Sequence, residues 1–453
     1  MNIDNIKYVY LIGIGGIGMS GLARYFNHLG YSVAGYDKTE TALTRQLQEE
    51  RIDISYEDNG SVIPDTFLDN LAETLVIYTP AIPKDSKIIS AFQNKGHALH
   101  KRSEVLGFLS ARKFTIAVAG THGKTTTSTM IAHILTDSGF PCSAFLGGIS
   151  TNYNTNALFS DSEVMVVEAD EFDRSFLTLH PDIAIVTSMD ADHLDIYGSH
   201  EQLKESFRLF MGQVKETGVR IVHEGLDLPV DWVYGMSSSA HVHASNVRII
   251  DGDFYFDYHQ GGEKIENILL GIAGGHNVEN AVAAIAAAKA FGVPNKSIKK
   301  SLASFKGIKR RFQYIVKDEN HIYIDDYAHH PKELEACFSA INSIYPDKKL
   351  TVIFQPHLFS RTRDFADDFA SVLSSDKIGR LILLPIYPAR EQPIEGVDSE
   401  WLLEKITLSD KLLMNPEEVL AYIERERPEL IVTVGAGDID RLVKLIEEIL
   451  TNV

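Results

Sequence analysis

Short runs of apolar, partly β-branched residues recur along this chain, and most of them end in a glycine-rich or polar turn. Phe114–Ala119 reads FTIAVA and is followed by Gly120-Thr121-His122-Gly123, then Lys124 and three threonines. After those, Met130, Ile131, Ile134 and Leu135 recur at helical spacing. A short apolar run bounded by a turn has the pattern of a parallel strand buried on both faces. Lys7–Ile12, Ser32–Tyr36, Thr74–Tyr78, Glu163–Val167, Ile183–Thr187, His321–Asp325, Leu350–Phe354, Leu381–Leu384 and Ile431–Val434 carry the same strand signal. The stretch from about Gly218 to Ile272 is β-rich, with Gly252, Gly261 and Gly262 at turns, and Ala281–Ala290 is an alanine-rich helix. Strands alternating with helical segments mark α/β domains with parallel sheets. A chain of 453 residues holds more than one core. The expectation is three α/β domains: a Rossmann-like N-terminal domain over 1–104, a central P-loop ATPase-type domain over 105–311, and a C-terminal Rossmann-like domain over 312–453.

Strand, glycine turn, Lys-Thr and helix together describe a phosphate cradle. Backbone N–H groups of Gly120, Thr121, His122 and Gly123 and of the helix start, through Thr126, would face phosphate oxygens, and the helix dipole favours their charge. Lys124 would reach the β- and γ-phosphates, and the Thr125 hydroxyl would hold Mg²⁺. The turn is shorter than the usual motif, which wants glycine where Val118 stands. The first segment repeats the theme: Gly13, Gly15 and Gly18 supply the G-x-G-x-x-G pattern after a strand, with Gly16 between them, and Asp37 ends the next strand. That pattern suits NAD, with Asp37 on a ribose hydroxyl, and equally suits any diphosphate at the helix terminus.

Acidic residues follow two central strands, Glu168-Ala169-Asp170-Glu171 after one and Asp190, Asp192, His193 and Asp195 after the other. Neither group has zinc spacing, and carboxylates beside threonine suit Mg²⁺ or Mn²⁺. His276 and Asn280 open the alanine-rich helix, where they could bond a base or simply cap close helix packing. Arg310 and Arg311 could reach a phosphate or be ordinary linker charge.

Composition narrows the partners. The net charge of −19 argues against nucleic-acid binding, which depends on Lys and Arg. No apolar run is long enough for a membrane span, and the N-terminal residues run into a strand without a secretory pattern. Cys142 and Cys337 have no metal or redox spacing, so both thiols are expected packed inside a cytoplasmic protein.

Taken jointly, the motifs resemble the Mur ligase family. The resemblance is carried by GIGGIGMSGLA (Gly13–Ala23), GTHGKTTT (Gly120–Thr127), EADE (Glu168–Glu171), DHLD (Asp192–Asp195), GGHNVENA (Gly274–Ala281), RRF (Arg310–Phe312), DDYAHHP (Asp325–Pro331), FQPHLFSRT (Phe354–Thr362) and GAGDI (Gly435–Ile439). It implies that ATP phosphorylates a muramyl carboxylate and that an amine attacks the acyl phosphate to form an amide. It implies further that Thr125 and Glu168 take one Mg²⁺, His193 a second, and Asn280 and His276 the adenine. Arg311 and Asp326 would contact ATP, while His329 and Arg361 would approach the acyl phosphate and the amine. Gly15, Gly16, Ile17, Gly18 and Asp37 would then bind UDP and not NAD.

Within the family, FQPH–x3–RT points to the branch that adds L-alanine to UDP-N-acetylmuramate, acting as a monomer or weak dimer. The alternatives are the branch that attaches a whole tripeptide during wall recycling and, from a different class, an NAD-dependent oxidoreductase. Two departures stand out. Phe207 occupies the position where sister ligases carry a carbamylated lysine, which the alanine-adding branch typically lacks. Leu358 stands where some alanine-adding enzymes have arginine, leaving Arg363 as a candidate substitute.

Overall fold

The computed structural model describes residues 5–83, 85–191, 194–250, 252–389 and 391–452. Its described residues form three sheets. The first is five-stranded and parallel, in the order Asp53–Ser55, Ser32–Tyr36, Tyr8–Ile12, Thr74–Tyr78, Leu99–Lys101. The third has six strands in the order Gln313–Lys317, Ile322–Asp326, Leu430–Val434, Leu350–Phe354, Ile378–Leu383, Lys411–Leu413. Only Gln313–Lys317 among these is antiparallel to its neighbour.

The second sheet has ten strands. Phe114–Ala119 lies at its parallel centre, between Ile183–Val186 and Val164–Glu168. On the Val164–Glu168 side follow Ser143–Ser150 and, antiparallel to it, Thr155–Leu158. On the other side Val219–His223, Trp232–Gly235, Val242–Ile250, Asp253–Gln260 and Glu263–Leu270 extend the sheet. The β-rich stretch is therefore an extension of the central sheet.

The chain divides into two compact units. The larger runs through Val247 and takes in Phe256–Leu269 and Glu279–Lys306; the other comprises Arg248–Tyr255, Leu270–Val278 and the chain from Gly307. In the larger unit, the Lys124–Asp137 helix buries every residue from Thr126 to Leu135. A helix buried all round shows no amphipathic stripe, which is why its sequence reads as a mixture of threonines and apolar residues. One side lies on the central sheet, and the other meets the Asn295–Ser304 helix, where His133 Nε2 lies 3.0 Å from the Ser301 carbonyl. Cys142 and Cys337 are buried and unpaired, and burial pushes the Cys142 thiol up to about 12.

Candidate active site

Gly120 sits at φ +135° and Gly123 at φ +81°, in regions of backbone space that favour glycine. Gly123 is the N-cap of the Lys124–Asp137 helix and places no side chain over the first-turn N–H groups, so that end is left open to an anion. The turn is held from behind by residues after the Ile183–Val186 strand. Thr187 Oγ1 donates to the His122 and Ala119 carbonyls, and Ser188 Oγ accepts the His122 N–H at 2.8 Å. Thr121 Oγ1 lies 2.9 Å from Ser188 Oγ and accepts the Asp190 N–H at 3.0 Å. Thr187 and Ser188 escaped the sequence reading, because nothing in a Thr-Ser pair after a strand says which loop it will brace.

Lys124 is drawn inward. Its ammonium donates to the Gly120 carbonyl and lies 2.9 and 2.8 Å from the two Glu171 oxygens. Burial opposes that charge, but the carboxylates of Glu171, Glu168 and Asp170 outweigh it and hold the Lys124 pKa above its ordinary value. Glu168 accepts the Gly147 N–H at 2.8 Å, with the Thr125 hydroxyl beside it. Burial raises its pKa, with Lys124 and Thr125 pulling the other way. A Cβ on Gly147 would come within 2.3 Å of the Glu168 carboxylate, so glycine is what lets the strand and the acid approach. A half-buried carboxylate beside a hydroxyl is a hard-oxygen donor pair of the kind that takes Mg²⁺. Asp192 and His193 lie outside the described residues.

Asn280 is also brought to the turn. Its Oδ1 accepts from Thr127 Oγ1 at 3.3 Å and would lie 2.7 Å from a Cβ on Gly123. His276, one turn earlier on the Gly275–Phe291 helix, is exposed. Beside Asn280, Glu279 pairs with His223 at 2.8 Å, and this hydrogen bond is the main reason that the His223 pKa is raised. A histidine whose folded pKa exceeds its unfolded value of 6.5 contributes stability below about pH 6.5 and loses it as pH rises through the raised value. Glu279→Gln is therefore expected to lower Tm at pH 6 and progressively less toward pH 9. A Tm difference that stays constant across that range would refute the pairing.

At the first glycine turn, Asp37 accepts the Gly15 N–H at 2.8 Å, and Gly16 caps the Ile17–His28 helix without a side-chain bond. Arg102 Nη1 would lie 2.2 Å from a Cβ on Gly18, and its Nη2 is 3.4 Å from Asp170. A cleft of about 150 Å³ runs here, lined by Ile17, Gly18 and Arg102 at one end and by Gly147, Glu168 and Asp170 at the other. The cleft thus joins the first glycine motif to the acids that follow the Val164–Glu168 strand, within one unit.

The second unit gathers its own cluster. Glu333 lies 3.7 Å from Arg311 and 3.3 Å from His329 Nδ1, and accepts the His329 N–H at 3.0 Å. The ring of His329 is 5.8 Å from that of His357, which lies 3.3 Å from Arg361 Nη1. Burial lowers the His329 pKa, and Glu333 opposes that shift. Asp326 accepts the backbone N–H groups of Phe312 and Ala328, each at 2.7 Å, and burial raises its pKa to about 6. Leu358 adopts φ +71° at the start of the Phe359–Asp364 helix. Arg363 turns away to pair with Asp364 at 2.7 Å, while Arg361 faces the histidines. Phe207 is buried and packs edge-on against Phe176 at 5.2 Å.

Three family descriptions match successive parts of the chain: "Mur ligase family, catalytic domain" over 8–114, "Mur ligase middle domain" over 118–288 and "Mur ligase, glutamate ligase domain" over 310–437. The chain is a three-domain member of the Mur ligase family. It is 47% identical to the UDP-N-acetylmuramate–L-alanine ligase of Christiangramia forsetii, covering 100% of this chain and 99% of the relative. It is 50% identical to that of Flavobacterium psychrophilum, with 98% of each covered. The crystal structure of the Thermotoga maritima UDP-N-acetylmuramate–alanine ligase superposes with a TM-score of 0.82 at 25% identity, over 97% of this chain and 98% of that one. A murein peptide ligase from Psychrobacter arcticus shares the fold with a TM-score of 0.68 at 23% identity, over 98% and 99%.

Proposed function

We propose that the protein ligates L-alanine to the carboxylate of UDP-N-acetylmuramate at the expense of ATP, in peptidoglycan precursor synthesis. The observation that carries this reading is end-to-end similarity to alanine-adding ligases, in a chain whose Lys124 turn opens toward Glu168. A free carboxylate is a poor electrophile, because the oxygen it must lose is a poor leaving group. Transfer of the γ-phosphoryl to a carboxylate oxygen releases ADP and leaves an acyl phosphate. The alanine nitrogen then attacks the carbonyl carbon, the C–O bond to phosphate breaks, and the nitrogen loses a proton as the amide forms.

The backbone of Gly120, Thr121, His122 and Gly123 and the helix start through Thr126 cradle the triphosphate. Lys124 neutralises charge as the phosphoryl moves. Thr125 and Glu168 would hold Mg²⁺, whose chemistry when bound is to supply positive charge at the transferring group; His193 is assigned to a second ion. Asn280 and His276 take the adenine, and Arg311, with Asp326 securing the turn beside it, takes the ATP phosphates. His329 and Arg361 meet the acyl phosphate and alanine. Gly15, Gly16, Ile17 and Gly18 bind the UDP diphosphate and Asp37 orders their turn. In this reading residues 1–104 hold the sugar nucleotide, 105–311 the ATP, and 312–453 close over ATP and amino acid, excluding water from the acyl phosphate. A reaction that uses a nucleotide sugar and ATP is, in this reading, a cytoplasmic one. Among the described residues no helix is long and apolar enough to cross a membrane.

The test is ADP release with ATP, Mg²⁺ and UDP-N-acetylmuramate, comparing no amine, L-alanine and an L-Ala-D-Glu-diamino-acid tripeptide. Release is expected only with the sugar nucleotide and L-alanine together. Turnover with the tripeptide alone would assign the recycling reaction instead, and no turnover with any amine would overturn the ligase reading.

A further inference from the structure

Glu171 has no part in the reaction as written above, yet its side chain is one of the most completely buried charged groups in the molecule, at 1% exposure. It lies between the Val164–Glu168 strand and the 3₁₀ turn Phe172–Thr178. Its main chain is tied down twice: its carbonyl accepts the Arg174 N–H at 2.9 Å and the Tyr197 hydroxyl. The carboxylate is thus placed by its own backbone, and it points at Lys124 Nζ, 2.9 and 2.8 Å away. Glu168, three residues earlier, accepts the Gly147 N–H and has Thr125 beside it, acting on Lys124 only through its charge.

An ammonium carries three N–H donors and no acceptor. One of those of Lys124 goes to the Gly120 carbonyl and one to Glu171. The Thr121 carbonyl, at 3.5 Å, is at the outer limit for a third. We propose that Glu171 is a positioning residue: with the Gly120 carbonyl it takes two of the three Lys124 donors and aims the third at the transferring phosphoryl group. This rests on the phosphoryl-transfer reading given above.

The arrangement has an unusual kinetic signature. Removing a negative charge beside a polyanion site does not weaken attraction for the polyanion, whereas losing the aim of the ammonium weakens its help in the transition state. Glu171→Gln keeps the shape of the side chain and removes the charge. In the ADP-release assay its kcat is expected to fall about tenfold or more, with KM for ATP unchanged or lower. Glu171→Asp, which restores the charge on a shorter stem, is expected to recover part of that loss. In a Lys124→Met background Glu171→Gln should cause no further fall in kcat, because the residue acts only through the lysine.

A Glu171→Gln enzyme with kcat within about twofold of wild type overturns the inference, as does an equal loss in the Lys124→Met background or a parallel rise in KM for ATP. If Glu171→Gln does not fold, as judged by circular dichroism, Glu171→Asp carries the same comparison: lowered kcat at unchanged KM supports the inference and unchanged kcat overturns it. An active wild type with an unaffected variant defeats the positioning role alone. A wild type without turnover defeats the parent function and the inference with it.

Discussion

Lys124→Ala is expected to lower kcat by about 10²–10³-fold, the usual consequence of removing one preorganised donor from a developing anion. The same substitution is expected to cost stability, because it strips the ammonium from Glu171, which is 1% exposed. Breaking a buried ion pair on one side costs about 3–5 kcal/mol, since the desolvated carboxylate loses the ammonium nearest to it. The two losses separate in the double variant. Lys124→Met with Glu171→Gln removes both charges, so much of the lost Tm should return while the activity stays low. Thermal unfolding and steady-state ADP release on the three proteins decide the matter. A Lys124→Ala enzyme within about tenfold of wild-type turnover would remove the lysine from the chemistry.

The second large effect falls on Gly120. Its φ of +135° is a conformation that L side chains rarely adopt, worth about 1–3 kcal/mol of strain for a substituted residue. Space is short as well: a Cβ there would meet Thr187 Oγ1 at 2.1 Å and the Ser188 N–H nitrogen at 2.8 Å. Thr187 is the residue whose hydroxyl braces the turn through the His122 carbonyl. Gly120→Ala must push it away or shift the strand end, and either movement disturbs the N–H groups that face the phosphates. Nucleotide affinity is expected to fall by at least about tenfold, equal to about 1.4 kcal/mol, with a lowered Tm. Calorimetric titration with ADP measures the first, and an unchanged Kd would show that the turn does not bind the nucleotide. Gly139, also at positive φ but with open space around it, is a control: Gly139→Ala should cost strain in stability and leave nucleotide affinity alone.

Much of this architecture was legible in the chain. Ser32–Tyr36, Thr74–Tyr78, Phe114–Ala119 and Leu350–Phe354 are strands with the bounds their apolar runs suggested, because a strand buried on both faces admits little but apolar residues. Short or polar strands were harder. Leu99–Lys101 pairs with Thr74–Tyr78 at the edge of its sheet, but His100 and Lys101 face partial solvent and leave no apolar signature. Ser143–Ser150 was hidden because Gly147 is there to admit Glu168 and not to pack a core.

By itself, then, the sequence determined the parallel sheets, the two glycine turns at strand ends, and the residue types of a phosphate cradle. These are local matters of period, turn chemistry and dipole, written within a few residues of one another. Only the tertiary structure decided which distant residues complete the cradle. It is sheet order that lays Ile183–Val186 and Val164–Glu168 on either side of Phe114–Ala119. That order delivers Thr187 and Ser188 to the back of the turn, and Glu168 and Glu171 to its front. The acids of EADE are three residues apart, but the chain turns sharply after the first, so one meets Thr125 and the other Lys124. Spacing in sequence does not encode that division, because it arises from where the backbone is tied by Arg174 and Tyr197.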